Sequence, residues 1–257
     1  MKVLAIMGSP RKKGNTYQVT KKVEENMKKF GNIEFEYLFL KDLDLKSCLG
    51  CGVCLDKGEK LCPLNDDRDM LEEKMQNADG VIFTSPTYMF NVTGLMKNFI
   101  DRFAYACHRP CFFKNAMVLT TSGAGVGTKM MLKSLKMAPL SWGFNVVQSL
   151  DIITNGDPNS KLSTTKHKAD KKINHAAKKL YEAIQKGNPN PGILSMAMFQ
   201  FAKKEIKKLN SEYYDFNYYK NQGWLNENTS YYYDTETNFA KKTLSKLFSN
   251  FIGLISF

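Results

Sequence analysis

Residues Val3-Leu-Ala-Ile-Met7-Gly8-Ser9-Pro10-Arg11-Lys12-Lys13-Gly14-Asn15-Thr16 decide the fold. The apolar run from Val3 to Met7 has no polar interruption, as a strand buried on both faces requires. It stops at Gly8-Ser9-Pro10, and from Thr16 onward Val19, Val23, Met27 and Phe30 recur with a helical period. Gly31-Asn32 closes that helix, and Ile33 to Leu40 alternates as a second strand, so one βαβ unit fits in the opening of the chain. The basic loop at its turn meets a helix N-terminus. There the free N–H groups, the helix dipole, the Ser9 and Thr16 hydroxyls and the Arg11 guanidinium suit a terminal phosphate, with Gly14 and Asn15 in the same turn. Neither Gly-x4-Gly-Lys-[Ser/Thr] nor Gly-x-Gly-x-x-Gly is present, which disfavours a nucleoside triphosphate or a dinucleotide and leaves a monophosphate.

The pattern repeats downstream. Leu45 to Asn65 is a Cys/Gly-rich loop, and Asp66 and Asp67 then cap a short helix to about Gln76. Gly80 to Ser85 is a third strand ending at Pro86, followed by a helix from about Thr93 carrying Leu95, Met96, Phe99, Ile100 and Phe103. Ala116 to Thr121 is the fourth strand, ending at Ser122-Gly123-Ala-Gly125; a helix through Lys136 and a fifth strand, Phe144 to Ile153, follow. A very basic helix, Lys161 to Lys186, completes the series. Strands alternating with helices predict an open five-stranded parallel sheet with helices on both faces. Ligands of such sheets sit beyond the carboxyl ends of the strands, where strand order reverses. The loops after strands one, three and four all lie at that edge.

The chain has 257 residues, 43% of them apolar and 24% charged, which excludes a disordered tail protein and a scaffold dependent on disulfides. The formal charge of +12 favours anionic ligands or partners. Nucleic acid is disfavoured, because the basic helix has no arginine and only Tyr181 among its aromatics. An acidic electron-transfer partner fits it better. Three histidines at no ligand spacing give little material for zinc or triad chemistry. No signal peptide or membrane span is read, so the expected location is a reducing cytoplasm.

After Gly187-Asn-Pro-Asn-Pro-Gly192 the composition shifts, dividing the chain into a 1–187 domain, with its Cys-rich loop at 46–65, and a 188–257 extension. The extension holds 15 of the 31 aromatic residues. Two amphipathic helices are expected in it, about Ser195 to Leu209 and Phe239 to Ser256, around an aromatic segment. In the second, Leu244, Leu247, Phe248, Phe251, Ile252 and Ile255 lie on one apolar face, suited to packing on the body of the protein or on a second copy. Dimerisation or a lid over the site are the expected roles.

Gly-Ser-Pro-Arg-x2-Gly-Asn-Thr after the first strand resembles the FMN-phosphate loop of the flavodoxin-like NAD(P)H-dependent FMN reductases. Ser85-Pro86-Thr87-Tyr88-Met89-Phe90-Asn91, with Gly94 and Lys97, is similar to that family's loop against the isoalloxazine. Thr121-Ser122-Gly123-Ala-Gly125 resembles the loop on the other side of the ring. The resemblance covers about residues 1–187. It implies a flavodoxin-like fold and non-covalent FMN on Ser9, Arg11, Gly14, Asn15, Thr16, Pro86, Thr87, Tyr88, Met89, Phe90, Asn91, Ser122, Gly123 and Gly125. It also implies a nicotinamide nucleotide as transient donor. Backbone N–H groups of the Pro86–Asn91 loop would face the ring edge where charge appears on reduction, while Tyr88 and Phe90 offer flat apolar surface. Hydride transfer to bound FMN needs no protein acid or base, so no catalytic side chain is assigned.

Cys48-x2-Cys51-x2-Cys54-x7-Cys62-Pro63 gathers four of the six cysteines. Thiolates at this spacing, with Gly50 and Gly52 letting the backbone wrap, suit one iron–sulfur cluster with Cys62 as the fourth ligand. A four-cysteine zinc knot, a disulfide or an unloaded loop satisfies the same spacing. The long last gap resembles the compact motif of the iron–sulfur flavoproteins, a branch of the same family. It implies a [4Fe–4S] cluster near the flavin and a homodimer or homotetramer. Cys107 and Cys111 read as half-buried thiols. The expected function is an FMN-dependent oxidoreductase that passes electrons from NAD(P)H or a reduced carrier to a quinone, a nitro compound or a protein such as ferredoxin. The alternative is a non-enzymatic flavodoxin/ferredoxin-like carrier.

Overall fold

The computed structural model describes residues 1–154, 166–188 and 190–255. Five strands, β1 (Lys2–Met7), β2 (Glu34–Phe39), β3 (Gly80–Pro86), β4 (Asn115–Ser122) and β5 (Asn145–Ile153), pair in parallel in the order β2-β1-β3-β4-β5. This is the flavodoxin-like order, and its direction reverses between β1 and β3. The helices that follow the strands are α1 (Asn15–Lys28), α2 (Val53–Asp56), α3 (Arg68–Asn77), α4 (Gly94–Arg102), α5 (Tyr105–His108), α6 (Thr128–Ser141) and α7 (Lys166–Lys186). Strand β1 pairs on both sides: Val3 to Met7 lie beside Phe35 to Phe39 and beside Gly80 to Thr84.

Alternation along the central strands sends two sets of side chains to two cores. Val3, Ala5, Met7, Ile82, Met117, Leu119, Leu150 and Ile152 meet Val19, Val23 and Met27 of α1 and Ile173, Ala177 and Leu180 of α7. On the other face Phe83 packs edge-on to Trp142 and Phe144, and Phe99, Phe103 and Phe112 complete an aromatic core. Each face is thereby covered, and the central strands β1, β3 and β4 have no solvent-facing side to make polar.

The structure extends two predicted elements. The fourth strand begins at Asn115, whose side chain donates to the Ala183 and Gly187 carbonyls and accepts from Asn145. The helix expected to reach Lys136 continues to Ser141 through Pro139, and the Pro139 carbonyl accepts from Phe144 N–H beyond the helix end. The basic helix is described from Lys166; residues 161–165 of its expected span lie outside the described residues.

The chain divides into two compact units. The first is Met1–Leu49 with Leu64–Asn188; the second joins Gly50–Pro63 to the described residues from 190 onward. The second unit holds α2, α8 (Ile193–Ile206), α9 (Tyr214–Asn221) and α10 (Phe239–Ile255). The middle of the aromatic segment is thus helical. Its rings form a core in which Trp224 meets Tyr219 at 5.0 Å and Tyr232 at 4.8 Å, both edge-on, while Phe199 meets Tyr232 at 4.6 Å.

On helix α10, Leu244, Leu247 and Phe248 of the expected apolar face are exposed, whereas Ser245 and Ser249, at 1% and 6% exposure, are buried; the side chains of Phe251, Ile252 and Ile255 lie outside the described residues. The two serine hydroxyls bond back to the Lys242 and Lys246 carbonyls, so short side chains with satisfied hydroxyls allow close packing on α8.

Lys203 of α8 is 5% exposed and its ammonium donates to the Asn226 and Thr229 carbonyls at 2.5 and 2.9 Å. Burial, aided by Lys207 and Lys246 and opposed by Glu227, pushes its pKa down to about 8. The unfolded chain therefore binds more protons than the folded one between pH 8 and the ordinary lysine range, and stability rises with pH across that window. Burial raises Tyr231 to about 12, which reverses the slope above pH 10. Thermal melts should show Tm rising from pH 7.5 to 9.5 in the native protein and flat over the same range in Lys203→Met; equal slopes would refute the assignment.

Candidate functional site

Gly8 carries the chain out of β1 against β3. Its N–H donates to the Thr84 carbonyl at 2.8 Å, its own carbonyl accepts from Thr93 Oγ1 at 2.6 Å, and a Cβ here would lie 2.9 Å from both Met96 Cε and the Thr84 oxygen. Glycine is required by this close approach. The loop then turns on itself: Ser9 Oγ accepts from Arg11 N–H at 3.2 Å and Gly14 N–H donates to the Arg11 carbonyl at 3.3 Å. Helix α1 starts from Gly14 with no side-chain cap and no acidic residue in its first turn. Its first N–H groups, which have no acceptor within the helix, are left for an anion. Lys12 pairs with Asp42 at 2.7 Å, while no carboxylate among the described residues pairs with Arg11 or Lys13.

The second loop is a tight hairpin after β3. Tyr88 and Asn91 exchange two backbone hydrogen bonds of 2.9 Å across Met89 and Phe90, which sit at φ 44° and 63°. Two consecutive left-handed residues make the turn a primed one, usually built from Asn and Gly. Asn91 Oδ1 accepts from Val92 N–H at 2.8 Å, and Thr93 caps α4 by accepting from Met96 N–H at 3.2 Å. The third loop leaves β4 at Ser122, whose hydroxyl accepts from Gly125 N–H at 3.0 Å.

Hydroxyls stitch the three loops together. Thr16 and Thr121 share a hydrogen bond of 2.8 Å, Thr87 and Thr120 one of 2.9 Å, and Thr87 N–H donates to the Thr121 carbonyl at 2.9 Å. Asn15 Nδ2 donates to Thr154 Oγ1 at 2.9 Å, and Thr154 N–H and hydroxyl both donate to the Ser122 carbonyl. Ser9, Arg11, Gly14, Asn15, Thr16, Pro86, Thr87, Tyr88, Thr121, Ser122, Gly123 and Thr154 line one cleft at the carboxyl edge, beside the β1/β3 reversal. Of the residues predicted for this site, Met89, Phe90, Asn91 and Gly125 are outside that lining. Met89 and Phe90 are exposed at the hairpin tip, Asn91 closes the turn, and Gly125 is held by Ser122. Thr154 has no motif around it. Its only sequence signal is its place directly after the fifth strand.

The cysteine loop leaves and re-enters the first unit through paired carboxylates. Asp66 accepts from Lys46 N–H, Arg68 N–H and the Arg102 guanidinium, the last at 2.7 Å with both side chains buried. Cys48 N–H donates to Asn98 Oδ1 at 3.2 Å, and Asn98 Nδ2 donates to the Leu45 carbonyl at 3.0 Å. Cys48 and Cys51 are exposed, Cys54 and Cys62 half-buried. Four thiols have the donor chemistry of a cluster or a zinc site, but among the described residues no three His, Cys, Asp or Glu side chains are placed to hold a metal ion.

Residues 1–157 match the family model described as NADPH-dependent FMN reductase. The chain belongs to that family. An iron-sulfur flavoprotein of Clostridioides difficile (strain 630) is 32% identical over 196 residues, covering 76% of this chain and 84% of the relative. An iron-sulfur flavoprotein of Archaeoglobus fulgidus is 48% identical over 102 residues, 40% of this chain; the chain spans only about half of that relative, 48% of its length. These likenesses place the chain in the iron-sulfur flavoprotein branch of the family. Among solved structures, RosB with a bound formylriboflavin phosphate intermediate aligns with a TM-score of 0.57 at 15% identity over 82% of this chain and 88% of that one, which shows the shared fold.

The cleft's dependence on Gly8 is measurable against a neighbouring glycine. At Gly94, the first residue of α4, a Cβ would meet nothing within 4 Å. Gly8→Ala should destabilise the first unit by about 1–3 kcal/mol through overpacking, whereas Gly94→Ala should be neutral or stabilise by up to about 1 kcal/mol. Urea denaturation of both variants decides this, and equal midpoints would contradict the close-approach argument.

Proposed function

We propose that this protein is an FMN-dependent oxidoreductase that takes reducing equivalents from NAD(P)H or a reduced carrier and delivers them to a quinone, a nitro compound or an acidic protein carrier. The observation that supports it most is the uncapped start of α1 beside Arg11, which has no carboxylate partner among the described residues, in a cleft walled by the hydroxyls of Ser9, Thr16, Thr121 and Thr154. That arrangement suits a monophosphate dianion, and the family to which the chain belongs supplies the flavin.

In this reading Ser9, Asn15, Thr16 and the first N–H groups of α1 hold the phosphate, with Arg11 closing over it from solvent. Pro86, Thr87 and Tyr88 line one side of the ring, and Ser122 and Gly123 the other. In the hairpin from Thr87 to Asn91 the N–H groups of Thr87, Tyr88 and Asn91 are taken up by backbone carbonyls, and this rigid frame leaves those of Met89 and Phe90, which have no backbone acceptor among the described residues, to face the ring edge without reorganisation. Bound FMN would supply the redox chemistry, accepting a hydride or single electrons at its isoalloxazine. The protein's part is to orient the ring, hold the phosphate and present hydrogen bonds where charge develops. On α7, exposed Lys168, Lys171 and Lys179 offer a positive surface to an acidic carrier.

The finer part of the proposal is a [4Fe–4S] cluster on Cys48, Cys51, Cys54 and Cys62. The thiol spacing and the likeness to iron-sulfur flavoproteins support it.

An anaerobic absorption spectrum of the purified protein should show flavin bands, and NADH or NADPH should bleach them. A protein that keeps its flavin oxidised under both is an electron carrier instead. Arg11→Ala should weaken FMN binding by about tenfold to a hundredfold, the loss of one charge-assisted phosphate contact, with riboflavin binding unchanged. Equal losses for the two ligands would remove the phosphate from this loop. About four irons and four sulfides per chain are expected of the loaded loop; zinc, or no metal, rejects the cluster.

A further inference from the structure

We propose that the C-terminal extension is the seat of segment 50–63 of the cysteine loop, which carries Cys51, Cys54 and Cys62, and that Tyr214 of α9 is the positioning residue that holds it. Gly50–Pro63 forms one compact unit with the extension, and within that unit α2 packs against α9. The contact is tightest at Gly58. This residue sits at φ 102°, and a Cβ built on it would lie 2.6 Å from Tyr214 Cζ, 2.8 Å from Cε2 and 3.0 Å from the hydroxyl oxygen. The tyrosine ring lies directly on the loop backbone, and both the dihedral and the space demand glycine.

Two turns flank that contact, and each carries a cysteine. Gly52, at φ 74°, starts α2, where its carbonyl accepts from Leu55 and Asp56 N–H at 2.8 and 3.0 Å; Cys54 is on this turn. Gly58 starts the 3-10 turn Glu59–Leu61, and Cys62 closes it by donating its N–H to the Glu59 carbonyl at 3.1 Å. Cys54 and Cys62 are half-buried, while Cys51 is exposed. Turns of three and four residues lack the hydrogen bonds to persist unaided, so their geometry comes from what they pack on. Helix α9 is itself fixed. Asp215 and Tyr219 are buried, and Tyr219 packs edge-on to Trp224, whose indole N–H donates to the Tyr232 carbonyl at 3.0 Å. An aromatic core in the extension thus presents a rigid ring to a loop that has none of its own.

This inference deepens the cluster reading and rests on it only for what the loop carries; the clamp has its own readout. In full-length protein depleted of iron, N-ethylmaleimide labelling followed by peptide mass spectrometry should find Cys54 and Cys62 slower than Cys51. Tyr214→Ala and Gly58→Ala should each raise the Cys54 and Cys62 rates, on the order of tenfold for a locally opened segment. Tyr214→Phe keeps the ring and should label like the native protein. Cys111, half-buried in the first unit, and the FMN content should not change in any variant. As purified, iron per flavin and the iron–sulfur absorption should fall in Tyr214→Ala and recover in Tyr214→Phe. Unchanged Cys54 and Cys62 rates in both Tyr214→Ala and Gly58→Ala would overturn the clamp, as would a parallel rise at Cys111. A native protein without iron would sink the cluster reading alone, and the clamp would then stand or fall on the labelling.

Discussion

The close approach of Gly8 to β3 is the constraint on which the carboxyl edge depends. One residue without a side chain lets the β1 exit bond to β3 at Thr84 and to the start of α4 at Thr93 at the same time. Thr93 in turn caps α4. The first two loops are therefore set by the same contact. Strand β4, from which the third loop departs, is tied to each side by a threonine pair, Thr16 with Thr121 and Thr87 with Thr120. A buried hydroxyl pair contributes about 1 kcal/mol net, but stranding one partner costs about 1–3 kcal/mol. The seam therefore resists partial opening more than its summed bonds suggest, and the cleft behaves as one rigid object.

Charge follows from that rigidity. A helix start in a soluble protein is ordinarily satisfied by Ser, Thr, Asp or Asn at its cap or by acids in its first turn. Helix α1 has neither, and the nearby cations are divided: Lys12 is neutralised by Asp42, while Arg11 and Lys13 have no carboxylate partner among the described residues. The net result is an unbalanced positive potential at one point of a preorganised edge. The rest of the positive charge on the first unit is of a different kind. Several lysines on α1 and α7 are answered locally, Lys22 by Asp170, Lys172 by Asp151 and Lys178 by Glu182. Exposed pairs of this kind contribute little to stability. They shape the outer field and leave the cleft alone.

Much of the first unit was legible because its determinants are local and periodic. The β1 run, the α1 stripe of Val19, Val23 and Met27 and the three loops each declare themselves within about fifteen residues. What was not legible depends on contacts distant in sequence. Thr154 enters the cleft through Asn15, across 139 positions. The cysteine loop groups with a helix that begins at Tyr214, and nothing in Gly58 or Tyr214 alone announces that meeting. On α10 the apolar period was real, but the side turned to α8 is chosen by size. Ser245 and Ser249 allow a closer approach than Leu247 and Phe248 would. Periodicity locates a stripe; it does not say which side the neighbour needs.

The Met89–Phe90 turn shows where the chain accepts a cost. Each non-glycine residue in the left-handed region is strained by roughly 1–3 kcal/mol, and an Asn-Gly turn would avoid most of it. The strain is held from three sides. Tyr88 and Asn91 close the hairpin with two hydrogen bonds, Asn91 Oδ1 is engaged by Val92 N–H and by Ser134 Oγ, and Phe90 lies where a side chain on Gly127 would have to be. Gly127 is itself left-handed, at φ 78°, so the third loop contributes a glycine that allows the second loop to carry a phenylalanine. Glycine has moved from the turn to the surface that receives it. The gain is two large apolar side chains at the rim of the cleft, Met89 at 89% exposure and Phe90 half-exposed, on a backbone that cannot relax. A loop whose only task was to connect β3 to α4 would not keep such a pair, and the strain therefore points to side chains selected for what they face.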